Sequence, residues 1–194
     1  MTEAVATLDL RPNPAVLIGA GGALALVSAA FLPWPVAIAS TVLGILMIAG
    51  ADVDARTYLL PDGVTLGATL AGIVAAPFID ALAAWSDPWL ACASAVARAI
   101  ACAAVLALLR AGYARMRQQE GLGFGDVKLA AAVGAWLPLD AIPLCFALAA
   151  SAALVNALIA QLRGHIVERT TRLPFGAFLC PSLWLVFYAG ALAN

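Results

Sequence analysis

Seven runs of apolar residues, cut by short clusters of proline, glycine and charge, dominate this chain of 194 residues. They fall at about 14–31, 35–51, 64–79, 90–110, 126–138, 142–162 and 175–192. A helix needs about 20 apolar residues, within a range of about 17–25, to cross the hydrocarbon core of a bilayer. Runs of this length predict membrane-spanning helices, with the fifth the shortest. Breakers separate them: "LPWP", "LLPDG" (59–63), "SDPW" (86–89), "LPLD" (137–140) and "RLPFG" (172–176). No soluble domain fits in what is left over. The expected fold is therefore all-α: one polytopic bundle of about seven transmembrane helices over residues 1–194, with residues 1–13 a short cytoplasmic segment.

Composition points the same way. The chain is 64% hydrophobic and 11% charged, with a mean hydropathy of +1.01, whereas soluble domains average roughly 45–50% apolar and about 25% charged. So few polar groups cannot cover a water-facing surface, and the lipid bilayer is the implied surrounding. Net charge is −1 and the charges are sparse, so no basic stripe for nucleic acid exists. Cys92, Cys102, Cys145 and Cys180 lie in or beside apolar runs without a C-x-x-C pair. They read as small buried hydrophobes, not as a metal or redox site. His165 is the only histidine, and no metal or cofactor is expected.

Orientation follows the basic residues, which favour the cytoplasmic side. With the N-terminus inside, the inner segments hold Arg11, Arg56, Arg110, Arg115, Arg117, Lys128, Arg163, Arg169 and Arg172. Arg98 lies within the fourth run, and the outer loops carry Asp80, Asp87 and Asp140 but no cation. The flank "MTEAVATLDLRPNP" lacks the positive start of a secretory signal, so the first run reads as a retained anchor. Small residues crowd segments such as "GAGGALALVSAA" (19–30), where they let helices approach in lipid.

Two acidic clusters then fall at one depth on the inner face. "ADVDARTYLLPD" closes the second run with Asp52, Asp54 and Asp62, and "EGLGFGD" opens the fifth with Glu120 and Asp126. Each has a plain structural account. Asp126 could cap a helix at the positive end of its dipole, and Asp52 and Asp54 could form a solvated turn balanced by Arg56. Neither account explains why Gly123 and Gly125 bracket Phe124. Glycines there let the backbone approach a neighbouring chain or adopt dihedrals other residues avoid, and irregular backbone at membrane depth needs protein or water to cover it. Two aspartates facing each other could share one proton. The ionised partner would take a proton from water attacking a peptide carbonyl, and the protonated one would donate to the carbonyl oxygen and then to the leaving amine. Such a pair titrates as a unit.

"GFGD" followed by "VK" resembles the G-x-G-D-x-K signature of the type IV prepilin peptidases, polytopic aspartic proteases of the membrane. Glu120 stands where that family often has a glutamate. "DARTYLLPDGVT" is similar to the family's stretch in which an aspartate precedes an (I/L)-P-(N/D)-x-(L/V)-T segment. Counting back from Pro61, the matching aspartate is Asp54 and not Asp52. "LPFGAFL" (173–179) resembles the family's "PFGPFL", with Ala177 where proline is usual. The three elements run in the family's order from about residue 45 to 185.

The resemblance implies a G-x-G-D-type aspartic endopeptidase of the bacterial inner membrane, of the type IV pilus and type II secretion systems. It would remove the short basic leader from prepilin or pseudopilin precursors at the cytoplasmic face, with Asp54 and Asp126 as the catalytic pair. "LPWP" joins the first two runs where longer relatives carry a cysteine-rich segment, so the peptidase-only form without methyltransferase activity is expected. Gly123 and Gly125 would shape the site. Lys128 would tune the charge near Asp126, hold a carbonyl or simply obey the orientation rule. Glu120 would meet the basic leader or sit in solvated loop, and Arg56 reads as orientation more than chemistry. Two rivals stay open: a presenilin-like intramembrane protease, which does not account for "LLPDGVT" or "LPFGAFL", and a small transporter relaying protons or ions, which would string its acids through the bilayer. The sequence leaves open whether the chain forms a homo-oligomer.

Overall fold

The computed structural model describes residues 10–80, 87–117, 123–163 and 174–193. Seven helices follow one another: α1 Pro14–Phe31, α2 Trp34–Thr57, α3 Asp62–Asp80, α4 Pro88–Arg117, α5 Phe124–Trp136, α6 Ile142–Leu162 and α7 Phe175–Ala193. Their starts are written locally. Asn13 caps α1 by accepting from the Ala15 N–H at 3.0 Å, and proline occupies the first turn of both α1 and α2, where its missing N–H costs nothing.

Six of the seven helices are long and apolar enough to cross a membrane. The exception is α5, whose 13 residues reach only about 20 Å at 1.5 Å per residue, short of the roughly 30 Å core. The fifth run, expected as a span over 126–138, forms a short helix enclosed by its neighbours. Val127, Leu129, Ala130, Ala132, Val133, Gly134, Ala135 and Trp136 are all buried. Helices α3, α4 and α7 pack around it, so its ends find partners in protein, as membrane depth demands.

Two helices run past the bounds the sequence suggests. α2 continues through Thr57 and carries Asp52 and Asp54 in its last turns, so these residues are helical and do not form a solvated turn. α4 extends to Arg117 over 30 residues, longer than a bilayer core requires, and its final turns carry the cations Arg110 and Arg115.

Helix pairs are set by small residues and a few buried polar groups. Ser28 and Ser40 hydroxyls meet at 2.9 Å between α1 and α2, and the Trp184 Nε1–H of α7 donates to the Ser40 carbonyl at 3.2 Å. On the other side the Trp136 Nε1–H donates to the Ala68 carbonyl at 2.7 Å, and its ring meets Phe187 edge-on at 5.2 Å. Gly134 lies so close to the Arg98 carbonyl that a Cβ would overlap it. Arg98 itself donates from Nε to the Gly134 carbonyl at 3.2 Å and from a terminal nitrogen to Ser94 Oγ at 3.1 Å. The charge inside α4 thus serves the last turn of the short helix, whose carbonyls lack a continuing helix to bond. Leu43, Met47, Leu129, Val133, Leu179 and Leu183 fill the centre. Ile18, Leu26, Leu70, Leu108 and Leu154 point outward, which suits a lipid surround.

These pairings gather one end of the bundle. α2 ends where α3 begins: a Cβ on Gly50 would meet Val64, and also Cys180 of α7, at 3.1 Å each. α5 begins beside the same end of α3, where Lys128 reaches Asp62.

Candidate active site

Asp54 sits in the last turn of α2, 5% exposed. Its backbone carbonyl accepts from the Tyr58 N–H at 2.8 Å and closes the helix. Its carboxylate Oδ2 accepts from the Ala177 N–H at 2.7 Å, and the Gly176 N–H donates to the same carboxylate. Both donors belong to the first turn of α7, whose N–H groups have no partner within their own helix and carry the positive end of its dipole. "PFGA" is therefore the socket for Asp54. Gly176 is buried against it, since a Cβ there would lie 2.9 Å from Asp54 Oδ2 and 2.7 Å from Leu60 Cδ1.

Asp126 occupies the first turn of α5. Gly123 is the residue capping that helix, with φ −66° and ψ 149°, and its N–H donates back to the Asp126 carboxylate. This is half of a capping box, in which the third helical residue satisfies the N–H of the cap. Capping and chemistry are thus compatible in one side chain. Asp54 and Asp126 lie at the same end of the bundle, where Leu60 packs against both Gly176, beside Asp54, and Gly125, beside Asp126.

The glycines serve closeness. Gly123 has ordinary extended dihedrals, so no unusual backbone angle calls for glycine there. A Cβ on Gly123 would come within 3.2 Å of Asp126 Oδ2, and one on Gly125 within 3.0 Å of Leu60 Cβ.

The remaining expected site residues disperse. Lys128 pairs with Asp62 at 2.5 Å and lies 5.1 Å from the centre of the Phe124 ring, while Arg110 lies 5.6 Å from it. Lys128 thus ties α5 to the start of α3. Arg56 pairs with Asp52 at 2.6 Å and donates to the Arg11 carbonyl at 2.9 Å, and the Asn13 N–H donates to Asp52 at 2.8 Å. Asp52 and Arg56 clasp the segment ahead of α1. Glu120 and His165 lie outside the described residues. No group of three or more metal-ligating side chains occurs among the described residues.

Three residues of the site stand inside stretches that carry the family resemblance, yet the sequence does not mark them as site residues. Leu60 looks like one more leucine in a greasy chain. Gly176 and Ala177 open the last run, and only their place ahead of an unpartnered helix start hints at an anion socket.

Comparison with known proteins bears on the same residues. Residues 41–158 match the model of the type IV leader peptidase family, a stretch that holds both Asp54 and Asp126. The chain is 34% identical over 160 residues to a prepilin leader peptidase/N-methyltransferase of Burkholderia pseudomallei (strain 1026b), covering 82% of this chain and 48% of the relative. It is 30% identical over 147 residues to the protein of that name from Neisseria gonorrhoeae, covering 71% and 43%. It is 33% identical over 145 residues to the leader peptidase HopD of Escherichia coli, covering 73% and 86%. The chain spans about half the length of the Burkholderia and Neisseria proteins. No solved structure matches it. The matched stretch and these relatives together show that the chain belongs to the type IV leader peptidase family.

Proposed function

We propose that this protein is a membrane aspartic endopeptidase that removes the N-terminal leader from prepilin-like precursors. The observation that carries the proposal is the convergence of Asp54 on α2 and Asp126 on α5 at one end of a bundle suited to lipid, where Leu60 packs against both Gly176 beside Asp54 and Gly125 beside Asp126. A water between them loses a proton to the ionised carboxylate as it attacks the scissile carbonyl. The protonated carboxyl donates to the carbonyl oxygen and later to the departing amine. The pair exchanges its proton over the cycle, so neither residue holds one role throughout.

The site is arranged for this chemistry. Asp54 is fixed by two N–H groups of α7 and Asp126 by one from Gly123, so neither carboxylate must be organised as the reaction proceeds. Placement at the end of the helices suits a substrate whose cleavage point lies just ahead of its own membrane helix. The distribution of basic residues supports the cytoplasmic face of a bacterial inner membrane.

The names of the relatives support the substrate class: prepilin leader peptidases and a leader peptidase. Residues Leu32 and Pro33 alone join α1 to α2, which supports peptide cleavage without methyl transfer by this chain. Co-expression with an epitope-tagged prepilin tests the proposal. Wild type converts the precursor to the shorter form, and Asp54→Asn and Asp126→Asn leave it uncut while still residing in the membrane. A fully active single variant would end the assignment.

A further inference from the structure

α1 lies along α2 without closing onto α7. It buries only Gly21 and Ser28, and α2 is its main neighbour. The Ser28 and Ser40 hydroxyls fix its outer half. Its inner end is held by Arg56 on the Arg11 carbonyl and by the Asn13 N–H on Asp52. Between α1 and α7, with α2 as the floor, a groove of about 440 Å³ stays open. No charged side chain lines it. The one polar side-chain group in its lining, the Trp184 Nε1–H, is already engaged by the carbonyl and the hydroxyl of Ser40, at 3.2 Å each. Whatever fills the groove is therefore apolar.

Two features say which apolar group fits. The floor and one edge are built of small residues, Ala20 and Ala23 on α1 and Gly44 and Ala51 on α2, which let another helix come close in lipid. Gly44 keeps that floor clear, since a Cβ there would lie 2.6 Å from Leu24 Cδ1 and 3.1 Å from Trp184 Nε1. The groove is also continuous with the site. Ala51 stands three residues before Asp54 on α2, and Pro181 four residues after Ala177, whose N–H holds the Asp54 carboxylate. Its inner end is thus about one helical turn from the level of that carboxylate. From Ala51 it follows α2 to Gly44, about 10 Å further into the hydrocarbon. A chain that leaves the aspartates as an apolar helix meets this surface within its first turn.

We infer that the groove between α1, α2 and α7 seats the apolar helix of the precursor, the segment just after the cleavage point, and so delivers that point to the aspartates. The inference rests on the peptidase reading and adds to it a binding surface apart from the reacting carboxyls. The groove recognises a helix by its apolar ridge and takes no part in proton transfer.

The test measures kcat/KM in detergent for wild type, Ala20→Trp, Ala23→Trp and Leu26→Trp on two substrates. One is a whole tagged precursor, and the other is a short peptide that spans the cleavage point but lacks the apolar helix. All three positions are exposed, so no indole must enter the packed core, and Leu26 lies outside the groove. Ala20→Trp and Ala23→Trp fill the groove and should lower kcat/KM on the whole precursor at least about tenfold, through KM. The short peptide should be cut as by wild type, and Leu26→Trp should match wild type on both. Equal loss on both substrates, or no loss on either, would overturn the inference. In a second arm, a benzophenone side chain is placed at position 23 or 26 of the Asp126→Asn protein, and membranes holding the uncut precursor are irradiated. Position 23 should cross-link the precursor's apolar helix, and position 26 should not. Cross-links from position 23 to lipid alone, or to a second copy of this protein, would overturn the inference. This arm decides the matter if wild type leaves the short peptide uncut. A wild type that cuts neither substrate counts instead against the peptidase reading itself.

Discussion

The Ala177 N–H reaches Asp54 Oδ2 at 2.7 Å, joining the first turn of α7 to the last turn of α2 across 123 positions of sequence. This bond places a buried carboxylate at the positive end of a helix, and it separates Asp54 from its neighbour Asp52. Two residues apart on one helix, the two acids point to different partners: Asp54 to the site, Asp52 to Arg56 and the segment ahead of α1.

The socket makes a first prediction. A methyl group on Gly176 would stand 2.7 Å from Leu60 Cδ1 and 2.9 Å from Asp54 Oδ2, so α7 must back away or the carboxylate must turn. Overpacking of this kind costs typically about 1–3 kcal/mol. Gly176→Ala should lower leader cleavage by about tenfold or more, with the protein still present in the membrane fraction. Cleavage at the wild-type rate would show that the α7 turn does not position Asp54.

A second prediction concerns the short helix α5. The Cβ of an alanine at 134 would run into the Arg98 carbonyl of α4, and backbone yields less readily than a flexible side chain. Gly134→Ala should lower the unfolding temperature in detergent, whereas Gly22→Ala, where a Cβ meets nothing within 4 Å, should not. Equal behaviour of the two variants would mean that α4 and α5 do not rely on this contact.

Lys128 gives a third. Its side chain is 29% exposed and that of Asp62 is 65% exposed, so water screens their attraction. Exposed pairs of this kind contribute about 0.2–1 kcal/mol. Lys128→Ala and Asp62→Ala should each reduce cleavage only modestly, and a double-mutant cycle on stability should give a coupling below about 1 kcal/mol. A loss as deep as that of an aspartate variant would place Lys128 in the chemistry.

How much of this the sequence discloses depends on the kind of signal. Helix positions are legible because a lipid-facing helix must be apolar almost throughout, so its ends appear wherever proline, glycine and charge cluster. That same signal ends α2 too early. Asp52, Asp54 and Arg56 read as an interface, yet Asp54 finds donors on α7 and Asp52 finds Arg56, so the helix continues to Thr57. The short α5 is visible as a short run, but apolar length cannot tell a spanning helix from one that other helices enclose.

Within the site, Asp54 and Asp126 stand out because acids are rare in such a chain. Lys128 stands out for the same reason and points elsewhere, since charge alone does not name its partner. Leu60 stands in the quoted "LLPDG" stretch, but its residue type gives no sign of a place beside the aspartates. What distinguishes it is position, and position is set by Tyr58, Pro61 and two glycines on helices far away in sequence.

The most direct measurement is the rate at which purified wild type, Asp54→Asn, Asp126→Asn and the double variant cleave one tagged precursor, each normalised to folded protein in the membrane. Two carboxyls acting as a unit should fail as a unit, because the effects of such partners are far from additive. Each single variant should fall to the same background as the double. If either single variant cuts at the wild-type rate, or the two losses multiply as independent contributions would, the carboxyls of Asp54 and Asp126 do not share the reaction.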